Sequence, residues 1–316
     1  MCEPATPFVL GWHISAIAQH LEAAARGEIR NLIVNVPPRH CKSLLTSVFW
    51  PAWLWTTRPT VRFLFTSYAL ALAIRDSVRC RRLIESQWYQ ERWGGKVRLT
   101  SDQNAKMRFD NHRGGHRIAA SVGSGVTGEG ATILVCDDPH EVEDAYSAAD
   151  RERVLRWWDQ SMTTRLDDPK KGVRVVIGHR IHEQDLSAHV MRQGYCSIVL
   201  PAEYEANRMQ PTPLGWRDPR EKPGELLWPE RFSRETLDDL RQKIGPYGWA
   251  AQFQARPAPL EGGLIKRQWW RRYREPPAHF DMVVTSWDTA VKDEPDSYVV
   301  GQVWGRKGAD SYLLDQ

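Results

Sequence analysis

A short strand, a proline-rich loop and an apolar helix follow one another near the start of the chain. The apolar run NLIVNV (31–36) predicts a buried strand, which the two prolines after it should end. The stretch SLLTSVFWPAWLW (43–55) predicts a helix, which Pro51 should kink or break. The loop between them therefore leads from a strand end into a helix start. A phosphate-binding loop requires this context, because the N–H groups at a helix N-terminus face the bound anion.

The letters of this loop, NVPPRHCKS (35–43), match a phosphate-binding motif at its end but not at its glycines. In G-x-x-x-x-G-K-[ST], the lysine reaches the outer phosphates of a nucleotide and the hydroxyl binds Mg²⁺. Lys42 and Ser43 fit these roles, whereas Val36 and Cys41 stand at the two glycine positions. The Cβ atom of Cys41 is expected to crowd the ligand, since a glycine would let the backbone approach it. From the loop alone, an incidental Lys-Ser pair would be the simpler interpretation.

Two adjacent aspartates end a strongly apolar segment further along the chain. The stretch ATILVCDD (131–138) predicts a buried strand that ends at Asp137 and Asp138. Paired carboxylates at a buried strand end are costly unless a cation or a basic group compensates their charge. In nucleoside triphosphatases, one such aspartate holds Mg²⁺ and a second residue orients or deprotonates the attacking water. We assign the metal role to Asp137 and the water role to Asp138; the alternative is a strand followed by a polar turn.

Predicted strands and helices alternate from residue 31 to residue 201. This alternation indicates an α/β fold with a mostly parallel sheet flanked by helices. The following segment is rich in Pro, Glu and Arg and contains one short helix, and three successive strands come after it. We therefore predict a P-loop ATPase domain over 1–200, a small linking subdomain over 201–265 and an incomplete further domain over 266–316.

Composition limits the environment and the partners of the chain. A net charge of +4 over 316 residues is compatible with a nucleic-acid partner but does not require one. Five cysteines without a C-x-x-C pair argue against a disulfide framework or a zinc site, and favour a reducing cytoplasm. No apolar run approaches the ~20 residues of a membrane span. We accordingly expect a cytoplasmic protein with no membrane partner.

Several ordered segments resemble the large terminase subunit of tailed bacteriophages and prophages. The loop above is one of them, since the family usually has Pro-Pro-Arg-His-Gly-Lys-Ser there. The others include VTGEGATILVCDDPHE, GHRIHEQDLSAHV, LWPERFS, QFQARPAP and SWDTAVKDEPDSYVV. The resemblance implies an ATP-driven motor that packages double-stranded DNA in the cytoplasm of a bacterial host. It further implies a portal protein and a small terminase subunit as partners, and a homo-oligomeric ring as a possible assembly.

The resemblance also implies roles for individual residues. ATP would be bound by the loop residues Pro38, Arg39, His40, Cys41, Lys42 and Ser43, and Mg²⁺ by Ser43 and Asp137. Arg39 would in addition act in catalysis by sensing the γ-phosphate. Arg180 lies in the region that couples hydrolysis to movement, and we predict a catalytic role for it. Gly178 and Ile181 depart from the family pattern in this region.

Two further roles in the ATPase site stay open at the level of sequence. The helix near Trp12 and His13 lies where the family contacts adenine, and an ordinary packing helix is the alternative. A transition-state arginine can come from a neighbouring subunit. Arg113 and Arg117 precede the aspartate pair, and Glu129 stands where the family often has an arginine. None of these is assigned.

Asp288 matches the first metal-binding aspartate of the family's C-terminal nuclease, which has a ribonuclease H-like fold. Cleavage by two Mg²⁺ or Mn²⁺ ions needs several carboxylates that hold the ions ~3.5–4 Å apart. The remaining family carboxylates lie on later strands, and we do not assign Asp293, Asp296 or Asp315 to a metal. We therefore expect no nuclease activity from this chain; the alternative interpretation of Asp288 is a turn residue at a strand end.

Two rival functions remain at this stage. One is a different P-loop DNA translocase of the helicase type, which DNA unwinding rather than duplex movement would stimulate. The other is a non-catalytic prophage remnant, which Cys41, Gly178 and the short C-terminal region would favour. Nucleotide binding separates the two, because a remnant need not bind ATP.

Overall fold

The computed structural model describes residues 7–124, 128–206, 211–258, 271–288 and 300–316. The chain divides into two compact units, Met1–Leu260 and Glu261–Gln316. The first unit contains the loop and both aspartates singled out above. Among the helices in the described ranges, none combines the length and apolar character that crossing a membrane needs.

Strands and helices alternate through most of the first unit, as predicted. Its strands are β1 (Asn31–Asn35), β2 (Phe63–Ser67), β3 (Leu99–Asn104), β4 (Arg108–Asn111), β5 (His116–Ser121), β6 (Ile133–Asp137), β7 (Val173–Gly178) and β8 (Cys196–Val199). Its α-helices are α1 (Trp12–Arg26), α2 (Trp50–Trp55), α3 (Leu70–Glu85), α4 (Gln87–Trp93), α5 (Ala148–Trp157), α6 (Leu186–Arg192) and α7 (Arg234–Gly248). Segments Leu44–Phe49, Trp158–Met162 and Trp249–Phe253 are π-helical, and Asp144–Tyr146 and Thr163–Arg165 form short 3₁₀ turns.

The eight strands form one sheet in the order β3-β4-β5-β2-β6-β7-β1-β8. All neighbours from β5 to β8 run parallel, whereas β3 and β4 join one edge antiparallel. Strand β7 lies between β1 and β6, so that Gly178 pairs with Asn35 and Ile177 with Asp137. The predicted α/β fold with a mostly parallel sheet is confirmed, and the carboxyl ends of β1, β6 and β7 meet at one edge.

Helices cover both faces of this sheet. Leu32 and Val34 of β1 belong to one buried apolar cluster, and Ile33 between them belongs to a second cluster on the opposite face. Successive side chains of a strand point to opposite faces, so both faces of β1 are buried. This explains why the central strands read as continuous apolar runs rather than as alternating patterns.

The helix after the loop is not broken at Pro51, where the sequence predicts a kink or a break. Helical backbone runs from Lys42 to Trp55, with a π-helical middle at Leu44–Phe49. Pro51 has no N–H for the Ser47 carbonyl four residues earlier. The buried Arg117 of β5 donates a hydrogen bond from Nη2 to that carbonyl over 3.0 Å. A wider turn and a side-chain donor together accommodate the proline.

The segment after β8 builds a small apolar cluster of its own around Leu237, Trp249 and Phe253. Ser233 caps α7 by accepting a hydrogen bond from the Thr236 N–H, as its position predicts. Gly245 leaves the helical conformation with φ of 72°, and a second helical stretch follows it. The first stretch therefore ends at this glycine, as the sequence SRETLDDLRQKIG (233–245) predicts.

The second unit contains a three-stranded antiparallel sheet in the order β11-β10-β9. Its strands are β9 (Met282–Asp288), β10 (Val300–Lys307) and β11 (Asp310–Asp315). The three successive strands predicted from the sequence are thereby confirmed, and they pair antiparallel, with Asp288 at the end of β9 opposite Val300. Asp293 and Asp296 lie outside the described residues.

Candidate active site

The loop after β1 holds two residues in a left-handed backbone conformation. Arg39 has φ of 65° and Cys41 has φ of 63°. Side chains at such φ values are strained, and glycine is the residue that adopts them freely. The Leu45 N–H donates to the Cys41 carbonyl over 2.9 Å, so the turn leads directly into the helix that starts at Lys42. A glycine at position 41 would therefore relieve backbone strain and would also leave more space for a ligand than Cys41 does.

The carboxylate of Asp137 lies against the start of that helix. Ser43 donates its hydroxyl hydrogen to Oδ1 over 3.0 Å, and Ser47 donates to Oδ2 over 2.9 Å. Asp137 is buried, and this burial together with the neighbouring charge of Asp138 raises the pKa of its carboxyl. A raised pKa marks negative charge that the surrounding side chains compensate incompletely. A divalent cation would supply the missing charge.

The donor set at this position fits Mg²⁺. The cation prefers oxygen ligands and is commonly held by one or two protein groups, with water and phosphate oxygens completing its shell. The hydroxyl of Ser43 and the carboxylate of Asp137 are two such groups. Within the described ranges there is no cluster of three or more His, Cys, Asp or Glu side chains suited to a metal. At this position the chain therefore offers a cation two oxygen ligands and leaves the rest of the coordination shell to other oxygen atoms.

Asp138 stands in the next position with φ of 46° and forms an ion pair with Lys42. The Lys42 Nζ atom lies 2.9 Å from Oδ2, and the His179 Nδ1 atom lies 3.3 Å from Oδ1. Burial raises the pKa of the Asp138 carboxyl, but the contacts with Lys42 and His179 together outweigh burial and lower it. Asp138 is accordingly ionised. Gly178 gives it room, since a Cβ atom there would lie 3.1 Å from Oδ1.

An open cleft of about 630 Å³ lies over the loop and reaches Asp138 and His179. Its polar lining is strongly basic, with one carboxylate and five arginine or lysine side chains among the described residues. The basic residues are Arg39, Lys42, Arg75, Arg79 and Arg231. Such a lining suits a ligand with several negative charges, because cations and helix N–H groups converge on one volume.

Most of the predicted nucleotide-binding residues lie on this cleft. Pro38, Arg39, Cys41, Lys42 and Ser43 line it. His40 does not, because its ring is buried against Phe232, with Nδ1 2.9 Å from the Pro38 carbonyl oxygen. The His40 ring thus packs behind the loop and contacts its backbone at Pro38. The prediction that His40 contacts the nucleotide is revised accordingly.

Arg180 also departs from its predicted role. Its Nε atom donates to both carboxylate oxygens of Asp185, over 2.9 and 3.0 Å. Asp185 in turn caps α6 by accepting from the Ala188 N–H. Arg180 is thus engaged in a buried helix cap and does not line the cleft. The neighbouring His179 does line the cleft, so the residue that follows β7 contributes a histidine side chain to the site.

The open predictions near the site resolve differently. Trp12 stacks on Trp216 at 6.1 Å, and His13 is buried between the rings of His40 and Trp228. Neither Trp12 nor His13 lines the cleft. The packing interpretation therefore describes both residues, and the exposed ring of Phe8 lies on the cleft instead.

The residues considered for a trans-acting arginine are spread apart. Arg117 is fully buried against the ring of Phe65, at 4.1 Å, and cannot reach another subunit. Arg113 is exposed in the turn before β5. Glu129 accepts hydrogen bonds from Arg108.

Sequence reasoning missed four residues of the site, Ser47, Arg75, Arg79 and Arg231. Ser47 carried a usable signal, because it lies one helical turn after Ser43 and so shares its face. The three arginines carried none, since each comes from an element distant in sequence from the loop.

No protein-family model matches the sequence, and no curated protein sequence matches it. The fold does match solved structures. A mutant large terminase ATPase domain of Thermus phage P74-26 aligns with a TM-score of 0.51 and 13% identity, over 81% of this chain and 96% of that domain. The large terminase of a thermophilic bacteriophage aligns at 0.48 and 8% identity (98% and 68% of the two chains). That of bacteriophage HK97 aligns at 0.47 and 11% identity (98% and 64%). The chain thus has the fold of a large terminase ATPase domain, and the predicted resemblance is confirmed at the level of fold.

Proposed function

We propose that this chain binds and hydrolyses ATP in the cleft and couples hydrolysis to the movement of double-stranded DNA, as a large terminase subunit does. The observation that carries the proposal is the juxtaposition of Lys42, Ser43, Asp137 and Asp138 at one sheet edge. Ser43 lies 3.0 Å from Asp137, and Lys42 lies 2.9 Å from Asp138. A phosphate-binding lysine, a metal-binding pair and an ionised carboxylate are the parts that phosphoryl transfer to water needs.

The side chains divide the work as follows. Lys42 and Arg39 bind the outer phosphates, together with the N–H groups of the helix that starts at Lys42. Ser43 and Asp137 would hold Mg²⁺, which when bound supplies charge stabilisation at the phosphate oxygens. When nucleotide binds, the Lys42 ammonium group moves from Asp138 to the phosphates, and the Asp138 carboxylate becomes available to water. The ionised Asp138 is then an acceptor that orients the attacking water and takes its proton, and His179 fixes the position of its other oxygen.

We propose that the chain moves double-stranded DNA, with a portal protein and a small terminase subunit as its partners. A homo-oligomeric ring and the cytoplasm of a bacterial host belong to the same proposal. We keep 1–200, 201–265 and 266–316 as its ATPase, linking and nuclease-like regions.

The test is the stimulation of ATP hydrolysis by DNA. Turnover should rise with added duplex DNA in the wild type and fall to background in Asp138→Asn, which keeps the shape of the side chain but cannot take a proton. Equal stimulation by single-stranded DNA, together with strand separation, would favour the helicase-type translocase. A protein that neither binds nor hydrolyses ATP would favour the non-catalytic remnant.

We further propose that this chain does not cleave DNA. Asp288 alone offers too few carboxylates to hold two ions and balance their charge. The purified chain should leave plasmid DNA intact in the presence of Mn²⁺, as should an Asp288→Ala control. Cleavage by the wild type that disappears in the control would overturn this proposal.

A further inference from the structure

We propose that Arg231, in the segment Leu227–Phe232 (the 227–232 segment), binds the phosphates of the nucleotide and makes that segment respond to nucleotide binding. This inference rests on the proposed ATP site and adds a phosphate contact from a region that lies far from the loop in sequence.

The five basic residues of the cleft differ in how their charges are balanced. Lys42 is paired with Asp138, and Arg75 and Arg79 both contact the buried Asp76. Arg39 and Arg231 have no ion pair with any residue in the described part of the chain. These two cations are exposed at the cleft with their charges uncompensated. Arg39 is already assigned to the phosphates, and Arg231 has the same electrostatic character.

Arg231 is held in place by its own segment. Its guanidinium lies over the ring of Trp228, 5.2 Å from the ring centre, and 6.0 Å from the ring centre of Phe232. The Arg231 N–H donates to the Trp228 carbonyl over 3.2 Å, which closes a turn. Trp228 is almost fully buried. A guanidinium stacked on a fixed ring loses less freedom on binding than a mobile side chain would.

The 227–232 segment is anchored directly on the phosphate loop. The ring of Phe232 stacks on that of His40 at 4.6 Å and 13°. His40 holds the Pro38 carbonyl oxygen through Nδ1. A shift of the loop on nucleotide binding would therefore be transmitted through this stack to the segment that carries Arg231. Loop and segment would close on the nucleotide together.

Planar guanidinium groups bind phosphate through two parallel hydrogen bonds, and such charge-assisted contacts contribute strongly to affinity. Loss of one should weaken nucleotide binding by about 10-fold to 100-fold. The loss should grow with the number of phosphates, because Arg231 would contact the phosphate chain and not the sugar.

The experiment titrates fluorescent N-methylanthraniloyl derivatives of ATP and ADP into the full chain with Mg²⁺. Arg231→Ala should raise the Kd for the ATP derivative at least 10-fold, and Arg231→Lys should restore part of the loss. Arg92→Ala is the matched control, because Arg92 also lies over a tryptophan ring, that of Trp88 at 4.8 Å, but outside the cleft. Its Kd should equal that of the wild type. Thermal melting without nucleotide should be the same for the wild type and the two Arg231 variants.

A second readout follows the segment itself. Hydrogen exchange of the 227–232 backbone should slow when nucleotide binds to the wild type, and should not slow in Arg231→Ala at saturating nucleotide. An unchanged Kd in Arg231→Ala, alongside Lys42-dependent binding by the wild type, would overturn the inference and leave the proposed function standing. Absence of binding by the wild type would overturn both.

Discussion

Replacing Cys41 by glycine isolates the most unusual feature of the loop. Cys41 has φ of 63°, and the left-handed conformation costs a residue with a Cβ atom ~1–2 kcal/mol. Glycine removes that cost but gains about 0.5–1 kcal/mol of entropy in the unfolded chain. The free energy of unfolding should therefore rise by only about 0.5 kcal/mol, a shift in melting temperature of roughly 1–2 °C for a unit of this size.

The effect on the nucleotide should be larger than the effect on stability. The Cβ atom of Cys41 lies on the cleft where the backbone must approach phosphate. Its removal should tighten Mg-ATP binding by about 3-fold to 10-fold, or roughly 0.7–1.4 kcal/mol, and raise the ATPase rate. Thermal melting and nucleotide titration of the same variant measure the two quantities separately.

Ala255→Gly is the matched control. Ala255 also has a left-handed backbone, with φ of 50°, but it does not line the cleft. The substitution relieves a similar strain and loses one buried methyl group, about 0.8 kcal/mol, so stability should stay level or fall slightly. Its nucleotide affinity should match the wild type. Unchanged or weaker ATP binding in Cys41→Gly would refute the crowding argument and show that the loop is built around the cysteine.

Two further predictions follow from the site and its surroundings. Arg180→Ala should lower the free energy of unfolding by about 3 kcal/mol in urea titrations, because it leaves the buried Asp185 without its ion-pair partner. His179→Ala should instead lower ATP turnover and change stability little. The reverse pattern would contradict both assignments. Burial lowers the pKa of His13 and of His140 to about 4, below the ordinary value of 6.5. Since the unfolded chain then binds more protons, stability present above pH 6.5 should be lost as pH falls towards 4, by about 2 kcal/mol for each histidine at pH 5. His140→Gln should reduce this loss. A urea unfolding midpoint that stays the same between pH 7 and pH 5 would refute the lowered pKa of the two histidines.

The central strands and the aspartate pair could be predicted from sequence because local pattern decides them. Both faces of β1 and β6 are buried, so each strand is a run of apolar residues. The residue that follows such a run lies at the carboxyl end of the strand, where the site is. Strand β3 was missed because LTSDQN is an edge strand with polar side chains and no alternation to mark it.

Other features depend on contacts between distant segments. Pro51 was expected to kink or break its helix, and only the position of Arg117, from another strand, shows how the carbonyl of Ser47 finds a donor. Arg180 lies next to the site in sequence but is engaged by Asp185, whereas Arg231 lies far away in sequence but lines the cleft. Sequence proximity to a motif predicts backbone position, and the side chain's partners decide its direction.

Calorimetric titration of Mg-ATP into the wild type and a charge-balanced double variant tests the central claim most directly. The double variant, Lys42→Ala with Asp138→Asn, removes the phosphate-binding cation together with its half-buried carboxylate partner, so neither member of this ion pair is left without the other. The wild type should bind one Mg-ATP per chain, and more weakly without Mg²⁺. The variant should melt as a folded protein and show no binding. A wild type that does not bind Mg-ATP at millimolar concentration, or a folded variant that binds it equally well, would contradict the account.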